Sequence, residues 1–260
     1  MALSSHSVFY FGHEVTDANN LIPFKDGTSA EKIAQVPVGF YTLTKFVEVV
    51  VASLNAASSL AWSYNIDRNT RRVTLQASGP ASLLFSSGSV GLNSPYALLG
   101  FNREDYILQT LFAAESASGK EYTPQFPLQD YSPKEKNKEL VGAVVSKSAT
   151  GDTVSVQSFG VNRYIKLNIK FITNTPTTGV LRYDFNAIEK AVEFMDFIVN
   201  KAPIEFMADE NDRATFDRAY LESTPQSPNG TEYELKEYYD RGLPDFYETG
   251  LLTFKVINKE

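Results

Sequence analysis

The sequence predicts a mainly β chain with a few helices, an α+β protein of two domains. Each domain is expected to be an antiparallel β sheet or barrel with one packed helix. Three observations carry this. Phe and Tyr are abundant, 18 and 14 among 260 residues, and aromatic side chains fit pleated, half-buried surfaces. Most apolar segments are short, alternate with polar residues and end at turn residues. Only two segments carry an apolar stripe at helical spacing over the length that a helix needs.

The first elements are strands. Val8-Phe9-Tyr10-Phe11 reads as one. Leu21-Ile22-Pro23-Phe24 begins another after the turn-like Asp17-Ala18-Asn19-Asn20, and Asp26-Gly27 turns the chain again. Residues 30–38 are expected to be extended or irregular. The first helix spans about 42–57, with Thr42 or Thr44 as its cap. Leu43, Phe46, Val47, Val50 and Leu54 line one face. The run Val49-Val50-Val51 would suit a strand equally, but the stripe continues to Ala57.

A hairpin follows. Trp62, Tyr64 and Ile66 alternate outward, Asp67–Arg71 turns, and Val73, Leu75 and Ala77 alternate on the return. Its tip is basic, with Arg68, Arg71 and Arg72. Ser78-Gly79-Pro80 is expected to break the pattern, before a short buried strand at Leu83-Leu84-Phe85 and a brief helix or turn at Tyr96–Leu99. Residues 116–130 read as irregular.

The polar run Pro133–Glu139 is read as an interdomain linker. The domains are then 1–131 and 141–260, joined by 132–140. The second domain is read as β-barrel-like. It opens with a hairpin of Val141–Val145 and Thr153–Val156, then a longer strand through Tyr164, Leu167 and Ile169. Leu181 and Tyr183 resume strand character. A second helix spans about 186–200, and Pro203 forbids its continuation. Strands are expected at Ile204–Met207, Phe216–Leu221 and Leu251–Ile257, with an acidic turn at Asp209–Arg213.

Composition narrows the function. A net charge of −7 makes the whole chain a poor partner for nucleic acid or an anionic membrane. With no cysteine, neither a disulfide framework nor a thiolate metal site can form. No apolar stretch reaches about 18 residues, so no membrane-spanning helix is expected. Met1–His6 lacks a basic region followed by an apolar run, so no signal peptide is expected and synthesis is assigned to the cytoplasm.

Chemistry has few places to reside. The two histidines are His6 and His13, and no Gly-x-Ser-x-Gly motif exists to place a nucleophile. Their separation is no zinc spacing. Asp209-Glu210-Asn211-Asp212 lacks the spaced oxygens and central Gly of a calcium loop. Ser87–Gly91 lacks the Lys-Ser/Thr ending of a phosphate loop. Asn229-Gly230-Thr231 matches a glycosylation acceptor and reads more simply as a turn. Glu232, Glu234, Glu237, Asp240, Asp245 and Glu248 contain enough carboxylates for a glycosidase pair, but spacing selects none. Tyr233, Tyr238, Tyr239, Phe246 and Tyr247 lie among them, which suits a protein interface more than a sugar-binding face. The basic tip suits a contact with an acidic neighbouring subunit. The expectation is a chain with no catalytic residues, no metal and no cofactor. The candidate contact residues are Arg68, Arg71, Arg72, Tyr238, Tyr239, Phe246 and Tyr247.

One ordered set of motifs is more specific. Gly39-Phe40-Tyr41-Thr42 opens onto the first helix, and Thr70–Leu75, Leu83–Ser89 and Leu98-Leu99-Gly100-Phe101 follow. This order resembles a module of structural proteins of tailed bacteriophages and some other DNA viruses. More loosely, Ala187–Leu221 is similar to a segment of distal-tail and tail-tip proteins. The resemblance implies a non-enzymatic virion protein, localised in the tail or its ends. It implies a ring of copies of itself that contacts other tail proteins, with no membrane partner and with nucleic acid only passing through a ring lumen. A neck or head–tail connector component, or a receptor- or glycan-binding tail module, is the alternative.

Overall fold

A computed structural model of the chain describes residues 7–126, 128–133, 137–141, 144–147, 153–157, 160–174, 186–208, 216–237 and 245–257. The chain divides into two compact units. One is built on Tyr10–Glu121, the other on Met1–Phe9, Tyr122–Asn211 and Phe216–Glu260.

In the first unit, β3 (Leu21–Asp26), β4 (Lys32–Gln35), β6 (Trp62–Asp67), β7 (Arg72–Leu84) and β8 (Asp105–Ala113) form one antiparallel sheet. β2 (His13–Val15) and β5 (Gly39–Tyr41) make a separate two-stranded ribbon. The helix α1 (Leu43–Ala57) buries Leu43, Phe46, Val47, Val50, Val51 and Leu54, the stripe its sequence predicts, and packs against β4 and β6. Thr42 is its N-cap by position, but its side chain makes no capping hydrogen bond.

The 13-residue β7 organises this sheet. Its first half pairs with β6, from Asp67↔Arg72 to Trp62↔Ala77. Beyond Ala77 the same edge changes partner to β3, through Asp26↔Ala81 and Phe24↔Leu83. β8 follows the other edge throughout, with register shifts on either side of Ala81. Ser78-Gly79-Pro80 therefore bends the strand and does not break it. Pro80 has no N–H to donate, and a strand interior tolerates that at a bulge; its carbonyl accepts from Gly27 N at 2.7 Å. The brief helix α2 (Tyr96–Leu99) stands where the sequence places it.

Asp26 ties the end of α1 to β3. Its side chain, only 7% exposed, accepts from Lys32 Nζ (2.7 Å), Ser58 Oγ (2.7 Å), Ser59 N (2.8 Å) and Ser59 Oγ (2.9 Å). Burial raises its pKa, but these hydrogen bonds outweigh burial and hold the carboxyl well below the usual carboxylate range.

The second unit combines a sheet with a helix. β14 (Gly160–Asn168), β19 (Leu251–Val256), β16 (Asp217–Ser223) and β15 (Ile204–Met207) lie side by side, followed by β1 (Val8–Phe11) and β9 (Lys120–Tyr122). β10 (Gln129–Ser132) and β11 (Lys138–Val141) pair with β14. β12 (Val144–Lys147) and β13 (Thr153–Gln157) form a hairpin whose first strand starts three residues later than expected, because Val141 belongs to β11, and β17 (Lys236–Glu237) pairs with β18 (Tyr247–Glu248). The helix α3 (Ala187–Val199) buries Ala187, Ala191, Phe194, Met195 and Ile198. Phe194 packs against Phe9 and Tyr122, with ring centroids 4.9 and 5.0 Å apart, and Phe9 continues to Phe206 and Phe254.

The chain is thus mainly β with three helices among the described residues, consistent with α+β. Two expectations change. None of the described sheets closes into a barrel. The 132–140 segment is also no simple linker, because β10 and β11 form successive pairings along β14. The chain passes between the units at Phe9–Tyr10 and Glu121–Tyr122 instead. The acidic turn at 209–213 and the strand character of 181–183 lie outside the described residues.

Candidate functional site

The three arginines of the hairpin tip do not share one surface. Asp67 shapes the turn, accepting from Asn69 N at 2.9 Å and Thr70 Oγ1 at 2.8 Å. Arg71 follows with a left-handed backbone, φ 56°. Its side chain leaves the strand alternation, and its guanidinium lies 3.8 Å from the centre of the Tyr10 ring. Arg71 is buried, and its carbonyl accepts from Ser118 N at 3.0 Å. Arg68 is half-buried and donates to Thr44 Oγ1 on the first turn of α1. Arg72 alone of the three is exposed. An exposed basic tip of three arginines is therefore corrected to one exposed arginine, because two of the guanidiniums meet partners within their own unit.

Tyr238 and Tyr239 lie outside the described residues. Phe246 and Tyr247 are half-buried. Phe246 meets the Phe171 ring edge-on at 6.5 Å, and Phe171 packs on Phe126 at 5.3 Å. Tyr247 exchanges both backbone hydrogen bonds with Ile172, at 2.9 and 3.0 Å. Several nearby polar groups hold structure together. Glu237 Oε1 accepts from Asp245 N at 3.0 Å, and Glu248 Oε2 from Asn168 Nδ2 at 3.0 Å. Tyr233 Oη donates to Asp196 Oδ1 at 2.7 Å. Burial first, and then this carboxylate, raise the Tyr233 pKa well above the phenol range.

His6 lies outside the described residues, and His13 has a serine partner. His13 Nε2 and Ser118 Oγ are 3.0 Å apart. Ser118 Oγ also donates to Leu98 O at 2.6 Å. A hydroxyl has one proton, so Nε2 must be the donor in the His13–Ser118 bond. A nucleophilic serine needs the opposite polarity, with histidine accepting. Both residues are 1% exposed. Burial, and then the positive charge of Arg71, hold the imidazole pKa down at about 3, so the ring is neutral. The ring packs on Phe46, with centroids 5.2 Å apart. Gly119 (φ 79°) passes so close that a Cβ there would sit 2.5 Å from His13 Cε1. This is a packed polar cluster without access for a substrate. Among the described residues, no three His, Asp or Glu side chains gather as a metal site.

The most distinctive surface is one the periodicity did not single out. β8 pairs with β7 along one side, and among the described residues no strand pairs with its other side. Tyr106 and Phe112 face the core, while Ile107, Leu108 and Leu111 are 52%, 51% and 55% exposed. Leu108 has φ 48°, at a register shift, and its N–H donates to Ser82 Oγ at 3.0 Å. A left-handed leucine costs roughly 1–2 kcal/mol, and burial does not return that cost when half the side chain faces solvent. Across the sheet, β4 pairs only with β3 among the described residues, and its Ile33 is 45% exposed. Open edges with aliphatic side chains are templates for pairing with another chain.

No protein-family model and no characterised protein matches the sequence.

Proposed function

We propose that this chain is a non-enzymatic structural component of a tailed-phage virion, a tail or tail-tip adaptor that works as a closed ring of identical copies. The observation that supports this is the β8 edge, with Ile107, Leu108 and Leu111 in solvent, opposite a second open edge at β4. Two different open edges on one sheet favour head-to-tail association, which closes into a ring when the rotation per subunit allows it. The ordered motifs from Gly39 to Phe101 supply the virion context. The buried polarity of His13–Ser118 argues against that pair as a hydrolytic dyad. Arg72 is the tip residue that remains for an acidic neighbouring subunit.

Mass spectrometry of purified particles from cells that carry the coding sequence tests the virion assignment. The expected result is the protein in the particle, at one copy number per particle that is a multiple of the ring size. Its absence from particles, together with a monomer by light scattering at high concentration, overturns the assignment.

A further inference from the structure

The sequence contains a single Asn–Gly step, Asn229-Gly230. Glycine leaves the backbone nitrogen after an asparagine unhindered, so this nitrogen can attack the side-chain amide carbon and close a five-membered imide. The structure puts the step in the loop from Thr224 to Thr231, with Asn229 exposed. Ser227, Pro228, Asn229 and Gly230 form a tight turn, closed by Gly230 N donating to Ser227 O at 3.0 Å. Ser227 is the hub of this loop. Its carbonyl also accepts from Thr224 N at 2.9 Å, its N–H donates to Thr224 Oγ1 at 3.0 Å, and its hydroxyl lies 3.2 Å from Thr231 Oγ1. Lys201 Nζ lies 3.0 Å from where a Gly230 Cβ would stand.

We propose that Asn229 is a self-modification site, at which Gly230 N displaces the side-chain amide, at a rate gated by opening of the Ser227 turn. The bond from Gly230 N to Asn229 Cγ forms and the Cγ–Nδ2 bond breaks. The Gly230 amide proton and the departing nitrogen leave as ammonia. Water then opens the imide at either carbonyl, giving aspartate or isoaspartate. Either product adds one negative charge, taking the formal net charge from −7 to −8. Isoaspartate also adds a carbon to the main chain. Gly230 has no slack for it, since even a Cβ would stand 3.0 Å from Glu222 O. Lys201 Nζ donates to Leu221 O and Glu222 O beside this turn, at 2.5 and 3.2 Å.

Trypsin releases this loop as the peptide Ala219–Lys236, so peptide mass spectrometry after timed incubation at mildly alkaline pH reads the site directly. The expected result is a unit mass gain confined to Asn229, with isoaspartate exceeding aspartate. Ser227→Ala is expected to speed conversion several-fold, and so is unfolding the wild-type chain in urea. No mass gain at Asn229 in the unfolded chain overturns the site, as does aspartate without isoaspartate. Equal rates in the folded and urea-unfolded chains overturn the gating by the turn, even if Ser227→Ala fails to fold.

Discussion

Burial of His13 in its neutral form makes a quantitative prediction about acid. In the unfolded chain the imidazole titrates near its ordinary value of 6.5, and in the fold it titrates at about 3. Below the ordinary value the unfolded state therefore binds one proton that the folded state does not. The stability from neutral burial is complete above that value and is lost as pH falls from there towards about 3. Each pH unit in that window costs about 1.4 kcal/mol. Lowering the pH from about 7.5 to about 4.5 should thus remove about 2.7 kcal/mol through this residue alone. The perturbation is His13→Gln, which keeps a donor for Ser118 Oγ and removes the titration. The assay is urea unfolding of both proteins across this range, followed by the fluorescence of Trp62, the single tryptophan and a buried residue of the same unit. Every group other than residue 13 is common to both proteins, so its contribution cancels in the difference. The wild type should lose about 2–3 kcal/mol more than His13→Gln over the interval. Equal losses would refute the neutral, donor assignment of His13.

Asp26→Asn should destabilise the first unit by about 2–3 kcal/mol in urea unfolding, because charge-assisted bonds from Lys32, Ser58 and Ser59 are lost or weakened. Since the Asp26 carboxyl titrates low in the fold, its contribution should persist above the ordinary carboxylate range and fade as pH drops below it. Gly119→Ala should cost at least about 2 kcal/mol, from left-handed strain and overlap with His13. Calorimetry that finds it neutral would mean that the 118–119 turn moves freely. Leu108→Asn should raise the stability of the unfolding subunit by about 0.5–1 kcal/mol, because Asn tolerates the left-handed backbone. The same change should weaken self-association in light scattering.

The two long helices and the β6–β7 hairpin were legible because each repeats one period over many residues, as Phe46, Val50 and Leu54 do along α1. What the periodicity missed depends on distant partners. Arg71 looks like its neighbours in sequence, yet Tyr10, far along the chain, makes it a buried residue. Ser78-Gly79-Pro80 resembles a strand end, and only the successive pairing of β7 with β6 and β3 makes it a bend. β8 escaped because five successive exposed positions, residues 107–111, erase its alternation. The polar run before Val141 reads as a linker, and the pairing of its last residues, Lys138 and Glu139, with β14 is a long-range fact. At the candidate surface, the half-buried Phe246 and Tyr247 look like interface aromatics in sequence, and only their distant partners Phe171 and Ile172 tie them into their own unit.

Self-association through the β8 edge is tested most directly by sedimentation velocity of the wild type and of the Ile107→Lys/Leu111→Lys variant over a wide concentration range. Both side chains are more than half exposed, so the variant should keep its fold by circular dichroism. The expected result is a discrete closed oligomer for the wild type and a monomer for the variant. A wild type that stays monomeric at the highest concentration, or a variant that assembles as well as the wild type, would contradict it.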